Sequence, residues 1–258
     1  AEAAAALRAE AATLFGQGTQ ASREQGLLRL AAARRLLQGS GDTAGLAQLT
    51  MLQGFWLFVL GRYREAAAAD EEALQLYIRL RRPDDQAQMH LSLARDHQKL
   101  GDYPRARAEL AQVLAAAQRS GNTQLSIWAL EMESDLDARS GQVEPARRKL
   151  EQAIALAARR GDSKEQIRLL DHLILWQVTL GQLDGARRGL DRRKALAPGE
   201  VSLAETMLRT LESRSRPEDL ESPEAIEAQI RTLRQAGDRT NTASRLRPVS
   251  YTHLRTHE

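Results

Sequence analysis

Cysteine is absent from all 258 residues, which excludes a disulfide framework, a Cys-ligated zinc site, an iron–sulfur cluster and a thiol nucleophile. Aromatic residues are scarce, at 4% of the chain. Long apolar runs are missing too. None exceeds six residues, the length of Phe55-Trp56-Leu57-Phe58-Val59-Leu60, against the roughly 18 to 20 that a membrane span needs. Neither sign of charge dominates: 37 Lys and Arg face 34 Asp and Glu, for a net charge of +3. The pI near 9.5 looks high because 33 of the 37 basic residues are arginine, which does not deprotonate in proteins. That bias, with abundant Ala and Leu, is what a GC-rich bacterial genome encodes.

Chemical motifs are lacking as well. There is no His-Glu-x-x-His pair, no Gly-x4-Gly-Lys-Ser/Thr loop and no Gly-x-Ser-x-Gly elbow. His90 and His97 are seven apart and could share a helix face, but a metal needs further ligands and none is spaced to help. Basic clusters such as Arg79-Leu80-Arg81-Arg82, Arg147-Arg148-Lys149 and Arg192-Arg193-Lys194 carry no interleaved aromatics, so nucleic-acid binding is not expected. The chain therefore reads as a non-enzyme that needs no cofactor and no metal.

What is present is repetition. Leu60-Gly61-Arg62-Tyr63-Arg64-Glu65-Ala66 aligns without gaps with Leu100-Gly101-Asp102-Tyr103-Pro104-Arg105-Ala106. Ser140-Gly141-Gln142-Val143-Glu144-Pro145-Ala146 and Leu180-Gly181-Gln182-Leu183-Asp184-Gly185-Ala186 follow at the same spacing. With 17 glycines in 258 residues, chance would put Gly at all four chosen turn positions about 2 times in 100,000, and the matching alanines strengthen the signal. A second set of breakers lies halfway between: Gly39 to Asp42, Arg82-Pro83-Asp84, Ser120-Gly121-Asn122 and Arg160-Gly161-Asp162. Breakers every twenty residues or so leave segments of helical length. Apolar residues recur within them at three and four, as at Leu110, Val113, Leu114 and Ala117. Ser163 with Gln166 reads as a capping box, and Asp42 or Thr43, Asp84, and Asn122 or Thr123 as caps. Nothing alternates with period two, so no strand is expected.

Paired helices around a Leu-Gly-x-Tyr-x-x-Ala turn resemble the tetratricopeptide repeat family. Ala106 is followed by Leu110 and Val113, Ala146 by Leu150 and Ala153, and Ala186 by Leu190, as the family places its large and small residues. Leu93-Ala94 matches its buried pair before the turn, Gly54 fills the small site before Gly61, and Ala197-Pro198 resembles its closing proline. The period is forty instead of the family's thirty-four, so helices or inter-repeat turns should be longer. Asp70 stands where a large residue belongs, and Glu133-Ser134 replaces the buried pair before Gly141. The resemblance implies an all-α, right-handed superhelical solenoid of antiparallel helix pairs. Residues 1–38 form a divergent first repeat, and 42–81, 82–120, 121–160 and 161–198 form four regular ones. Residues 199–237 form a divergent last pair (Val201 to Ser213, a turn from Arg214, and Glu224 to Gln235), and 238–258 form a disordered tail. Residues 248–258 break with the preceding composition, resemble a translated sequencing-adapter tail and read as non-native. With the absence of an initiator Met, this suggests a fragment of a longer protein.

A hairpin of this size cannot bury a core alone, so its apolar face must serve its neighbours. Trp56 and Trp176, at equivalent repeat positions, are therefore expected to pack between repeats. In the family the first helices line a concave groove. The resemblance carries this role to Met51, Phe55 and Phe58; Gln88, Leu91, Arg95 and Gln98; Trp128, Glu131, Asp135 and Arg139; and Arg168, Asp171 and Leu175. The mixture of apolar residues and both charges suits a protein or peptide partner. Clamping a C-terminal carboxylate is not expected, because the inner sites lack the necessary Lys and Asn. The functional expectation is a cytoplasmic scaffold (periplasmic if tethered), part of a bacterial signalling or transcription-regulatory protein. The alternative is a sensing domain for a small ligand or signal peptide that controls an effector domain.

Overall fold

The computed structural model describes residues 2–215, and among them every regular element is an α-helix. They run α1 (Glu2–Gly16), α2 (Gln20–Gln38), α3 (Thr43–Val59), α4 (Tyr63–Arg79), α5 (Pro83–Leu100) and α6 (Tyr103–Ser120). Then follow α7 (Thr123–Arg139), α8 (Val143–Arg159), α9 (Ser163–Thr179), α10 (Leu183–Leu196) and α11 (Leu203–Ser215). The chain divides into two compact units, 1–157 and 158–258.

The turn glycines explain the period. Gly61, Gly101, Gly141 and Gly181 all have φ between 70° and 79°, the left-handed region that side chains with a Cβ rarely enter. Each closes the preceding helix by the same pair of bonds. Arg62 N donates to Leu57 O at 2.9 Å while Gly61 N donates to Phe58 O at 2.9 Å, and the bonds recur around Gly101, Gly141 and Gly181. This double closure satisfies carbonyls that a helix end leaves open. The turns between α3 and α9 are two or three residues long, and these helices have 17 or 18 residues. The extra length over the family period thus lies in the helices.

The second set of breakers also places glycines in the left-handed region, at Gly41, Gly121 and Gly161, with φ between 69° and 76°. At the corresponding place in the α4–α5 turn stands Arg81, with φ 53°, the one non-glycine among the described residues with positive φ. Its closure is intact: Arg82 N donates to Tyr77 O at 3.1 Å and Arg81 N to Ile78 O at 3.0 Å.

Two expected caps are corrected. Asp162, not Ser163, caps α9 by accepting from Glu165 N at 3.0 Å, which puts Ser163 one place too far into the helix to cap it. Asp84 is not a cap either. Arg82 holds the cap position of α5 and Pro83 the first turn, where its missing N–H costs little. Asp42 and Asn122 do cap, accepting from Gly45 N at 2.8 Å and from Gln124 N at 3.1 Å. Arg214 and Ser215, expected in a turn, are helical residues of α11. The expected helix from Glu224 to Gln235 and the tail lie outside the described residues.

Within unit 1 the helices pack in chain order, each against the next from α1 through α7. Close approach occurs where the sequence is small. Ala66, Ala106 and Ala146 are fully buried, and Ser134 Oγ donates to Ala146 O at 2.8 Å, tying α7 to α8. Leu110, Val113, Leu136 and Leu150 fill the space around them at 0 to 1% exposure, each stabilising by about 1.5–3 kcal/mol if fully removed from water. At the start of the chain Phe15 on α1 stacks on Trp56 of α3, with ring centroids 3.8 Å apart. That contact joins the divergent first pair to the regular repeats. Unit 2 packs α9, α10 and α11 around Ile174, Val178, Ala186, Ala204 and Leu208.

Candidate partner-binding face

The first helices of the repeats, α3, α5 and α7, touch one another in succession along one side of unit 1. This follows from hairpins of equal length stacked in register. Phe55 is 40% exposed and meets the edge of Trp56 at 5.2 Å between ring centroids. Phe58 is half-buried and lies beneath Arg95 of the next first helix, whose guanidinium carbon stands 4.0 Å from the ring centroid. Arg95 and Phe58 are therefore brought together across α3 and α5 as a cation–π pair.

Other residues of the expected groove are drawn partly into the core. Met51 takes a weak bond from the Tyr77 hydroxyl, with 3.9 Å between oxygen and sulfur. Leu91 and Trp128 pack from α5 and α7 against one common cluster that includes Leu110 and Leu125. Glu131 is buried, Gln98 and Asp135 are half-buried, and Gln88 and Arg139 are exposed. The open part of this face thus comprises Phe55, Gln88 and Arg139, rimmed by Arg95, Gln98 and Asp135.

Arg168, Asp171 and Leu175 lie on α9, in the second unit. Arg168 Nη2 pairs with Glu165 at 2.9 Å one turn back. Asp171 accepts from Nε of the buried Arg193 at 2.8 Å, and Arg193 Nη1 also donates to Glu200 O at 2.9 Å. Burial pushes the Asp171 carboxyl up more than Arg193 pulls it down. This arrangement fastens the end of α10 to α9, so Asp171 has a structural task.

Charged residues outside the expected groove carry the strongest electrostatics. Asp137 on α7, with its side chain 3% exposed, is clamped by Arg107 of α6 and Lys149 of α8, each at 2.8 Å. Lys149 also reaches Glu133 at 3.1 Å. Burial pushes the Asp137 carboxyl up, but its bonds to Lys149 and Arg107 outweigh this and hold it below the usual carboxylate range. Asp70 and Asp96, on α4 and α5, are buried at 2% and 0% exposure. Two of them had a visible signal. Asp96 stands forty residues from Trp56 and Leu136, and Asp70 forty from Leu110. A charge in a repeat position that is apolar in the sister repeats marks a buried ionisable group. His97 is buried, and His90 Nδ1 lies 2.6 Å from Glu109 Oε2. No group of three or more metal-binding side chains exists among the described residues, nor is any described helix long and apolar enough to cross a membrane.

The tetratricopeptide repeat family model matches residues 45–118 and 85–159. No curated protein matches the chain by sequence. Among solved structures, aspartyl phosphate phosphatase F from Bacillus subtilis is similar at a TM-score of 0.72 and 15% identity, over 91% of this chain and 59% of that one. The apo form of RapI follows at 0.65 and 12%, over 85% of this chain and 60% of that one. Kinesin light chain repeats of Podosopora anserina match at 0.61 and 16%, over 75% of this chain and 95% of theirs. At these identities the likeness is one of fold, and this chain spans about three fifths of the length of the first two proteins. With the left-handed glycines, the buried alanines and the family match in the same register, the stretch 45–159 is built of tetratricopeptide repeats.

Proposed function

We propose that the chain is a non-catalytic scaffold that binds a protein or peptide segment along the face formed by α3, α5 and α7. The observation that carries this reading is the exposed Phe55, beside the Phe58–Arg95 pair, on a face that also presents Gln88, Asp135 and Arg139. An exposed aromatic flanked by charges of both signs offers an apolar anchor with polar specificity around it. The scaffold is cytoplasmic and belongs to a regulatory protein. A second reading is that these repeats sense a small ligand or signal peptide for an effector domain; the chain shares its fold with three fifths of aspartyl phosphate phosphatase F and of RapI. Whether the same reading frame encodes an effector domain separates the two.

Arg95 is unsuitable for a clean test, because its charge also acts on the buried Asp70 and Asp96. A better variant combines Phe55→Ala, Asp135→Ala and Arg139→Ala. In pulldowns from a bacterial lysate it should keep wild-type helicity and lose proteins captured by the wild type. A desolvated charged contact removed from an interface weakens binding by about 2–5 kcal/mol, enough to abolish capture. Identical captures by both proteins would place the binding surface elsewhere.

A further inference from the structure

We infer that Asp70 and Asp96 keep a proton at neutral pH, shared through a hydrogen bond between their carboxyls, and that the seam between α4 and α5 is a pH-sensitive switch. It is tight while the proton is held and loosens when the proton leaves.

The geometry is that of two acids closed off from water where adjacent repeats meet. Asp70 comes from α4 and Asp96 from α5, neighbouring helices of successive hairpins. Neither oxygen of Asp96, nor Oδ1 of Asp70, has a donor within reach. A buried carboxylate without a donor is costly. The bond open to these atoms is the one between the two carboxyls, and ionised carboxylates only accept, so that bond requires a proton. Asp70 also has no room to retreat towards α3. Its Oδ1 occupies the space above Gly54, where an added Cβ would stand 2.0 Å from it.

The surrounding charges leave the proton in place. The helix α3 carries no charged residue. On α5, Arg95 pulls both acids down, and His97 is buried beside Asp96 along the chain. On α4, Glu72 pairs with Arg34. On α6, Glu109 faces His90 and Arg107 pairs with Asp137. Burial outweighs Arg95 and pushes Asp70 up to about 7; burial and the charge of Asp70 push Asp96 up to about 8. Both values lie above those of an unfolded chain, near 4. The folded state therefore binds protons that the unfolded state has released. The stability this confers is complete below about pH 4 and is lost as pH rises through 7 to 8.

The test is the urea unfolding midpoint of the full chain between pH 6 and pH 9, for the wild type, D70N and D96N. Asn resembles the protonated acid and leaves His90 and His97 in place. The wild-type midpoint should fall steadily over this range, and either variant should lose at least half of that slope. The infrared spectrum of the wild type at pH 7 should show the carbonyl stretch of a protonated carboxylic acid, vanishing by pH 10. That measurement decides the matter even if a variant does not fold. A wild-type midpoint that is level or rising, variants with the wild-type slope, or no protonated-acid band would each overturn the inference.

Discussion

Arg81 occupies a backbone conformation that its counterparts Gly41, Gly121 and Gly161 reach without a Cβ. Left-handed geometry costs a residue with a Cβ about 1–2 kcal/mol, part of which is regained because a non-glycine loses less entropy on folding. Arg81→Gly should therefore stabilise unit 1 by about 0.5–1 kcal/mol, read as a higher urea midpoint with an unchanged slope. A loss of stability would mean that the Arg81 side chain makes a contact outweighing its backbone strain. The residue scale is also where the sequence was hardest to read. Arg81 lies inside the basic run Arg79 to Arg82, and nothing in the run itself shows a positive φ. Asp70 stood out against Leu110, Leu150 and Leu190, yet only the packing of Gly54 reveals that a carboxyl fills the space a Cβ would take there. Asp96 stands against Trp56 and Leu136 in the same way, but its partner Asp70 comes from another helix, and sequence spacing does not show that the two meet.

Helices and their turns were far more legible, since the glycine at C′, the alanine at the crossing and the apolar spacing of three and four all point to one hairpin. The misplaced caps at Ser163 and Asp84 are shifts of one or two residues, where several capping residues stand side by side. What the helix scale adds is the Asp137 clamp, which joins three consecutive helices through one carboxylate. Removing it leaves Arg107 and Lys149 without their shared anion, so Asp137→Ala should cost about 2–3 kcal/mol at pH 7. Its carboxyl is held below the ordinary range, so the stability it confers is present above about pH 4 and lost as pH falls further. Urea midpoints at pH 7 and pH 3 should differ less for the variant than for the wild type. An equal difference would show that the clamp contributes nothing to folding.

In a repeat array each hairpin packs on its neighbours alone, and stability is close to a sum of local parts. The contacts of unit 1 follow this rule: they run from each helix to the next from α1 through α7, and otherwise between first helices of adjacent repeats, α3 with α5 and α5 with α7. A fragment of residues 1–160, ending just after α8, should therefore fold without the remainder. Circular dichroism should give helicity per residue at least equal to that of the whole chain, with a cooperative melt. A fragment that is largely unfolded at 25 °C would show that unit 1 depends on residues beyond it. At this scale the sequence disclosed the architecture through its forty-residue period, but not the partner, because a binding face leaves no periodic signature of its own.

The most direct measurement of the central claim places a photo-crosslinking amino acid at single positions and exposes each protein to a bacterial lysate under light. Positions 55, 88 and 135 sample the first helices, and the exposed positions 71, 112 and 152 sample the second helices α4, α6 and α8. A partner seated along α3, α5 and α7 should give adducts of one common mass at 55, 88 and 135, and none at 71, 112 or 152. Adducts confined to the second helices, or none at any of the six, would contradict the assignment of this face as the binding surface.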